Sequence, residues 1–196
     1  MSRRLRAPCV VIASHNAGKV AEIADLMRPY AEVLSASELQ LAEPAEEAET
    51  FVAIALDKAC RAAAAAGRPA LSDDSGLVIP ALEGQPGVRS ARWAGPDRDW
   101  LGAMERLHDA LGDRSRSAEM VTALALAWPD GEAVAFEGRV AGSVVWPPRG
   151  TLGFGYEPFF QPEQDERTYG EMPRLEKHAD DPRARAFRAL ERACLR

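Results

Sequence analysis

Residues 71–76 read Leu-Ser-Asp-Asp-Ser-Gly, and they place a hard condition on any fold of this chain. An apolar run leads into them. Two adjacent carboxylates and a hydroxyl are expected to end that run, and Gly76 to turn the backbone. Neighbouring aspartates taken out of water repel each other, so the pair needs a cation, a shared proton or abundant hydrogen bonds. A divalent metal carrying a polyphosphate would supply the charge. The same residue types also make an ordinary solvated turn. The rest of the chain has to separate the two readings.

The segments around this motif alternate between strand and helix patterns. Residues 7–13 are apolar and β-branched, which predicts a buried strand. A polar loop follows, and then Val20, Ile23, Ala24 and Met27 recur with helical spacing until Pro29. Val33 and Leu34 suggest a second strand, and the acidic stretch 37–49 with Pro44 a loop. Thr50 can cap a helix that runs to Ala66 and stops at Gly67. Residues 69–71 lead a strand into the acidic motif, and 76–96, rich in Gly and Pro, read as an ordered loop. Asp97 can cap a helix through Leu111. Residues 118–128 and 132–140 flank Pro129-Asp130-Gly131, a hairpin signal, and 144–146 suggest one more short strand. Pro182 opens a last helix that reaches about Cys194. This order predicts an α/β fold with a mixed sheet, in one domain over residues 1–196.

Composition removes several classes of function. The net charge of −6 gives no global basic field for nucleic acid. No apolar run approaches the roughly 20 residues of a membrane span. Cys9, Cys60 and Cys194 lie far apart with no C-x-x-C pair, which argues against structural zinc and a disulfide framework and fits a reduced cytoplasm. The N-terminus has arginines but no long apolar stretch of a signal peptide.

Four constellations carry chemistry. The first is Ser14-His15-Asn16-Ala17-Gly18-Lys19, between strand and helix. Such a junction offers backbone N–H groups and the positive end of a helix dipole to an anion. Gly18 permits close approach, Lys19 adds a point charge, and Ser14 and Asn16 add neutral donors. It is not a Walker A loop, because Ala13 stands where that motif has its first glycine. The second is Ser72 to Gly76 at a strand end, where ligands of α/β sheets gather. Both loops are therefore expected to face one cleft, with donors opposite carboxylates, as in a phosphoanhydride hydrolase. The third is Gly153-Phe154-Gly155-Tyr156-Glu157-Pro158, whose small and aromatic residues suit a flat ring stacked on Phe154 or Tyr156, or a tight turn whose aromatics join the core. The fourth is Lys177 with Arg183, two cations flanking a helix start. Solvated surface charge is the ordinary alternative for that pair. His15, His108 and His178 show no individual role.

Together these motifs resemble the inosine triphosphate pyrophosphatase family. Residues 13–19 are similar to its A-T-x-N-x-G-K, 71–76 to A-D-D-S-G, Pro86 to Arg92 to P-G-V-Y-S-A-R, and 153–158 to G-F-G-Y-D-P, while Lys177 falls at its late lysine. The match runs from about Cys9 to Leu195. The resemblance implies an elongated central mixed β-sheet flanked by helices, with two lobes around a cleft, and a homodimer. It implies Mg²⁺-dependent hydrolysis of the deaminated purine triphosphates ITP, dITP and XTP to a monophosphate and pyrophosphate. Residues 14–19, including His15 and Ala17, would then hold the triphosphate, with Lys19 also serving catalysis. Asp74 would be the general base, Asp73 and Asp74 would hold the metal, and Ser75 would touch phosphate. Phe154, Gly155, Tyr156 and Glu157 would line the base pocket with Lys177, Pro182 and Arg183.

The chain departs from the family pattern at three places. The family's T-F-x-E-N-A becomes Thr50-Phe51-Val52-Ala53-Ile54-Ala55, so the glutamate taken as a metal ligand is Ala53 and the asparagine is Ile54. Glu46, Glu47 or Glu49 are the nearby carboxylates that could substitute. The family's S-H-R becomes Asp181-Pro182-Arg183, which removes a base-reading histidine. Glu157 replaces the aspartate of G-Y-D-P. These changes raise an alternative reading, a catalytically weakened or re-specified nucleotide-binding homologue.

Overall fold

The structure, a computed structural model, describes residues 3–42, 44 and 47–196. Among the described residues, six strands form one mixed sheet in the order β2-β1-β3-β4-β5-β6. β1 (Cys9–Ile12) pairs in parallel with β2 (Glu32–Ser35) and with β3 (Ala70–Val78). β4 is Ser117–Ala127, β5 is Ala133–Val144, and the edge strand β6 (Phe160–Pro162) is antiparallel to β5. The helices are α1 (Ala17–Met27), α2 (Phe51–Ala66), the single turn α3 (Ser90–Trp93), α4 (Trp100–Leu111), the short α5 (Arg174–Lys177) and α6 (Pro182–Leu190), which ends in a π-helical turn (Glu191–Leu195).

Two compact units emerge from the contacts within the chain. One comprises residues 1–74, 122–137 and 185–196, and the other 75–121 and 138–184. Each has its own apolar core. In the first, Val10 and Ile12 of β1, Leu71 of β3 and Leu124 and Leu126 of β4 pack with Ile23, Met27, Phe187 and Leu190 of α1 and α6. In the second, Leu77, Val140, Val144 and Phe160 pack with Ala103, Met104, Leu107 and Leu111, the buried stripe of α4. Burying a side chain of this size contributes about 1.5–3 kcal/mol each, so both cores stand on ordinary hydrophobic burial.

Local rules explain most element ends. Asn16 caps α1, accepting from the amides of Gly18 and Lys19. Thr50 caps α2 through the Ala53 amide, and Gly67 ends it at φ 61°, a conformation glycine adopts without steric cost. Three expectations need correction. Strand β3 does not stop at the aspartates but continues to Val78, since it lies between β1 and β4 in the sheet and its backbone stays in the ladder. Helix α4 is capped by Asp99, not Asp97, because Asp99 stands three residues before the Gly102 amide it receives. Residues 144–146 are not a separate strand, because β5 runs unbroken to Val144.

Candidate active site

The parallel register of β1 and β3 builds the first cluster. Ile12 lies opposite Leu71, and the Ala13 amide donates to the Leu71 carbonyl at 2.8 Å. The chain therefore leaves β1 into the Ser14–Lys19 loop beside the point where β3 presents Asp73 and Asp74. This is the carboxyl end of β1, beside the middle of β3, and α/β sheets collect their ligands at such strand ends. Within the loop, the Asn16 amide donates to the Ser14 hydroxyl at 3.2 Å, and the Asn16 side-chain carbonyl receives the Gly18 and Lys19 amides at 3.0 and 3.3 Å. His15 is exposed, and its Nε2 lies 2.9 Å from the Leu41 carbonyl.

Lys19 and Asp73 meet. The Lys19 Nζ lies 2.6 Å from Asp73 Oδ1, and the Asp73 side chain is fully buried. Neighbouring side chains along a strand leave on opposite faces, and each of the two carboxylates meets a lysine. Asp74 is 3.8 Å from the Nζ of Lys58, which also donates to the Asp73 carbonyl at 3.2 Å. Ser72 is buried and its hydroxyl donates to the Ala55 carbonyl, which ties β3 to α2. The repulsion between adjacent aspartates is thus offset by two ammonium groups from two helices. Beside this cluster lies a cavity of about 270 Å³ whose wall includes Ser14, His15, Lys58 and Arg61.

Sequence reasoning missed Lys58. The signal was present: Ile54, Lys58 and Ala62 recur at four-residue spacing along α2, and Ile54 and Ala62 are buried. A single cation on the apolar face of a helix needs a partner below it. Ala53 is half-buried in the first turn of α2, and Ile54 is buried. Among the upstream carboxylates that could replace the missing glutamate, Glu46 lies outside the described residues, while Glu47 and Glu49 are exposed.

Asp73 and Asp74 are the groups that could hold a metal. Among the described residues no group of three or more His, Cys, Asp or Glu side chains forms a metal cage. Mg²⁺ commonly takes one or two carboxylates plus substrate phosphates and keeps waters for the rest, and because the two carboxylates leave opposite faces of β3, each would meet an ion separately.

The second cluster surrounds the 153–158 loop. Glu157 is the hub. One oxygen accepts from the Lys177 Nζ at 2.5 Å and the other from the Phe154 amide at 3.1 Å. The Lys177 ammonium stands 5.5 Å from the centre of the Phe154 ring, within cation–π range. Gly153 has φ 78°, and a Cβ there would strike the Glu157 carboxylate, so the loop requires glycine at that point. Gly155, at φ 65°, faces Trp100. Phe154 is half-buried, whereas Tyr156 is a core residue at 3% exposure, edge-on to Trp100 and donating to the Ser90 carbonyl at 3.1 Å. Burial pushes the Tyr156 hydroxyl well above the usual phenol range. Only Phe154 of the two aromatics keeps enough open surface to receive a ring.

Arg183 is buried, and its guanidinium donates to the Ser75 hydroxyl at 3.4 Å. Asp181, one of the departures, anchors the local backbone. Its Oδ1 receives the Ala184 amide and its Oδ2 lies against His178 Nδ1, both at 2.7 Å. Pro182 takes the first position of α6, where its missing N–H costs nothing.

A model of the Ham1 family matches residues 10–193. The chain belongs to the Ham1 family. It is 52% identical over 200 residues to the dITP/XTP pyrophosphatase of Bradyrhizobium sp. (strain BTAi1), covering 95% of this chain and 94% of that protein. It is 49% identical over 209 residues to the dITP/XTP pyrophosphatase of Rhodopseudomonas palustris, covering 100% of this chain and 99% of that one. The solved structure of a HAM1 protein from Coxiella burnetii superimposes with a TM-score of 0.87 at 34% identity, over 95% of this chain and 98% of the other. The α/β fold with a mixed sheet is therefore a Ham1 fold.

Proposed function

We propose that this chain hydrolyses deaminated purine nucleoside triphosphates (dITP, XTP and ITP) to the monophosphate and pyrophosphate. The activity for which its Ham1 relatives are named supports the substrate class. The observation that carries the chemistry is the meeting of Lys19 and Lys58 with Asp73 and Asp74 beside the carboxyl end of β1. In this reading Ser14 and Lys19 hold the triphosphate, and the adjoining cavity gives its phosphates room. Asp74 accepts a proton from the water that attacks the α-phosphorus. The bond to the bridging oxygen breaks, and pyrophosphate leaves with the electron pair. Lys58, beside Asp74, supports the carboxylate form of that base. Asp73 and Asp74 are the candidate ligands for Mg²⁺, which when bound would neutralise charge on the phosphates. Phe154 stacks on the purine, with Lys177 and Arg183 as its polar neighbours and Glu157 setting the loop. The family resemblance extends the reading to a homodimer acting in the cytoplasm.

The test is pyrophosphate release from ITP, XTP, dITP, ATP, GTP and dUTP, with and without Mg²⁺. Release from the deaminated purines should fall by about 10³-fold or more in Asp74→Asn, the scale for losing a general base together with its charge. Binding of triphosphates without any release would instead favour the non-catalytic homologue, for which Ala53 and Pro182 are the motivating residues.

A further inference from the structure

His178 is held from both sides, and the two contacts fix where its proton lies. The Arg174 Nε donates to the His178 Nε2 at 3.2 Å, and the His178 Nδ1 lies 2.7 Å from Asp181 Oδ2. A guanidinium has donors only, so Nε2 must offer its lone pair. A neutral imidazole carries one N–H, which therefore sits on Nδ1 and donates to Asp181. The other Asp181 oxygen receives the Ala184 amide at 2.7 Å, in the first turn of α6. The Asp181 amide in turn donates to the Lys177 carbonyl at 3.1 Å. One imidazole thus ties α5 to the start of α6. On either side of it in sequence stand Lys177, whose ammonium holds Glu157, and Arg183, whose guanidinium reaches Ser75.

We propose that neutral His178 is a positioning residue for the base pocket: by bridging Arg174 and Asp181 it sets the spacing of Lys177 and Arg183, the two cations beside the purine. The proposal rests on the reading of the site given above and names what holds those cations in register. His178 acts on the nucleotide only through Lys177 and Arg183. The charged groups set against the ring are Arg174 from α5 and Asp181 from the turn before α6, while the neighbouring Lys177 turns its ammonium to Glu157. A second proton, on Nε2, removes the acceptor that Arg174 uses and brings two cations face to face. The contact with Asp181 survives that step as an ion pair. The bridge therefore opens on the α5 side, where Lys177 lies. Because the neutral ring holds the bridge, tight base binding is present above the titration of His178 and is lost as pH falls through it.

Two measurements test it. The ¹⁵N resonances of labelled histidine in the nucleotide-free protein report the tautomer of the neutral ring directly. His178 should carry its proton on Nδ1, and a proton on Nε2 overturns the proposal. Kinetics on dITP give the second reading. His178→Leu can neither donate nor accept, and it should raise KM about tenfold, the scale of one hydrogen bond to a charged group, with kcat within about twofold of the wild type. His178→Gln can donate to Asp181 and accept from Arg174 without titrating. It should keep the wild-type KM at neutral pH and lose the decline in kcat/KM that the wild type shows as pH is lowered from about 8 to 5. An unchanged KM in the leucine variant, a loss confined to kcat, a glutamine variant as impaired as the leucine one, or a wild-type decline that persists in the glutamine variant overturns the proposal. Should the leucine variant fail to fold, the tautomer and the glutamine variant still decide. Because the ¹⁵N measurement uses neither nucleotide nor catalysis, a wrong tautomer and the absence of pyrophosphate release are separate results.

Discussion

Two lysine–carboxylate pairs in this chain have nearly the same length and different construction. Lys177 and Glu157 are 2.5 Å apart with both side chains under a tenth exposed. The second Glu157 oxygen receives a backbone amide, and the ammonium also faces the Phe154 ring. Lys19 and Asp73 are 2.6 Å apart, but here the lysine reaches the surface while the carboxylate does not. The first pair is enclosed and fixes the shape of a glycine-containing loop. The second joins a partly exposed lysine, at a helix start suited to anions, to a buried carboxylate. The difference teaches that the surroundings of a short ion pair, not its distance, decide how much its loss costs.

The largest expected effect breaks the enclosed pair. Glu157→Ala leaves the Lys177 ammonium buried without its carboxylate and removes the acceptor of the Phe154 amide. Losing one partner of a buried pair costs about 3–5 kcal/mol, which urea denaturation would measure directly. Lys19→Gln should lower stability by less, since the glutamine amide can still donate to Asp73. A larger loss in Lys19→Gln than in Glu157→Ala would reverse the comparison.

A smaller effect is expected at the start of α2. Rebuilding the family pattern with Ala53→Glu and Ile54→Asn would restore two site residues on paper. Ile54, however, is 2% exposed, so an asparagine there places an amide in an apolar setting. The lost burial and the desolvated amide together cost about 2–4 kcal/mol. Ala53→Glu alone, at a half-buried helix position, should leave stability within about 1 kcal/mol of the parent. Thermal unfolding of the two single variants distinguishes these outcomes, and equal losses would mean that Ile54 contributes nothing special to the packing.

What the sequence made legible follows from where the deciding interactions lie. Helix α2 was readable to the residue because Thr50 and Gly67 act locally, on amides and carbonyls a few positions away. The neighbourhood of residues 14–19 and 73–74 was readable because β1 and β3 read as neighbouring parallel strands, which brings the loop after β1 beside the aspartates. The continuation of β3 through two aspartates was not, since pairing in the sheet overrides the turn preference of Asp, Ser and Gly. Lys58 was passed over because its partner, Asp74, is distant in sequence, and the sequence left Tyr156 open between a stacking face and the core, a choice decided by packing and by its bond to the distant Ser90. Glu157 showed its charge in the sequence but not its hub position, which depends on Lys177 folding back twenty residues later.

The smallest effect concerns Asp181, and it asks whether a departure from the family pattern alters the site or only supports it. Its carboxylate receives the Ala184 amide in the pattern of a helix cap and lies against His178. A cap lost to alanine costs about 1 kcal/mol, so Asp181→Ala should lower the urea midpoint slightly. Asp181→Asn keeps an acceptor for the amide and should recover most of that loss. Neither change should alter the order of preference among ITP, XTP and GTP if the residue only anchors α6. A shift of preference toward GTP in Asp181→Asn, with stability unchanged, would instead make Asp181 a determinant of base choice and place it functionally with Lys177 and Glu157.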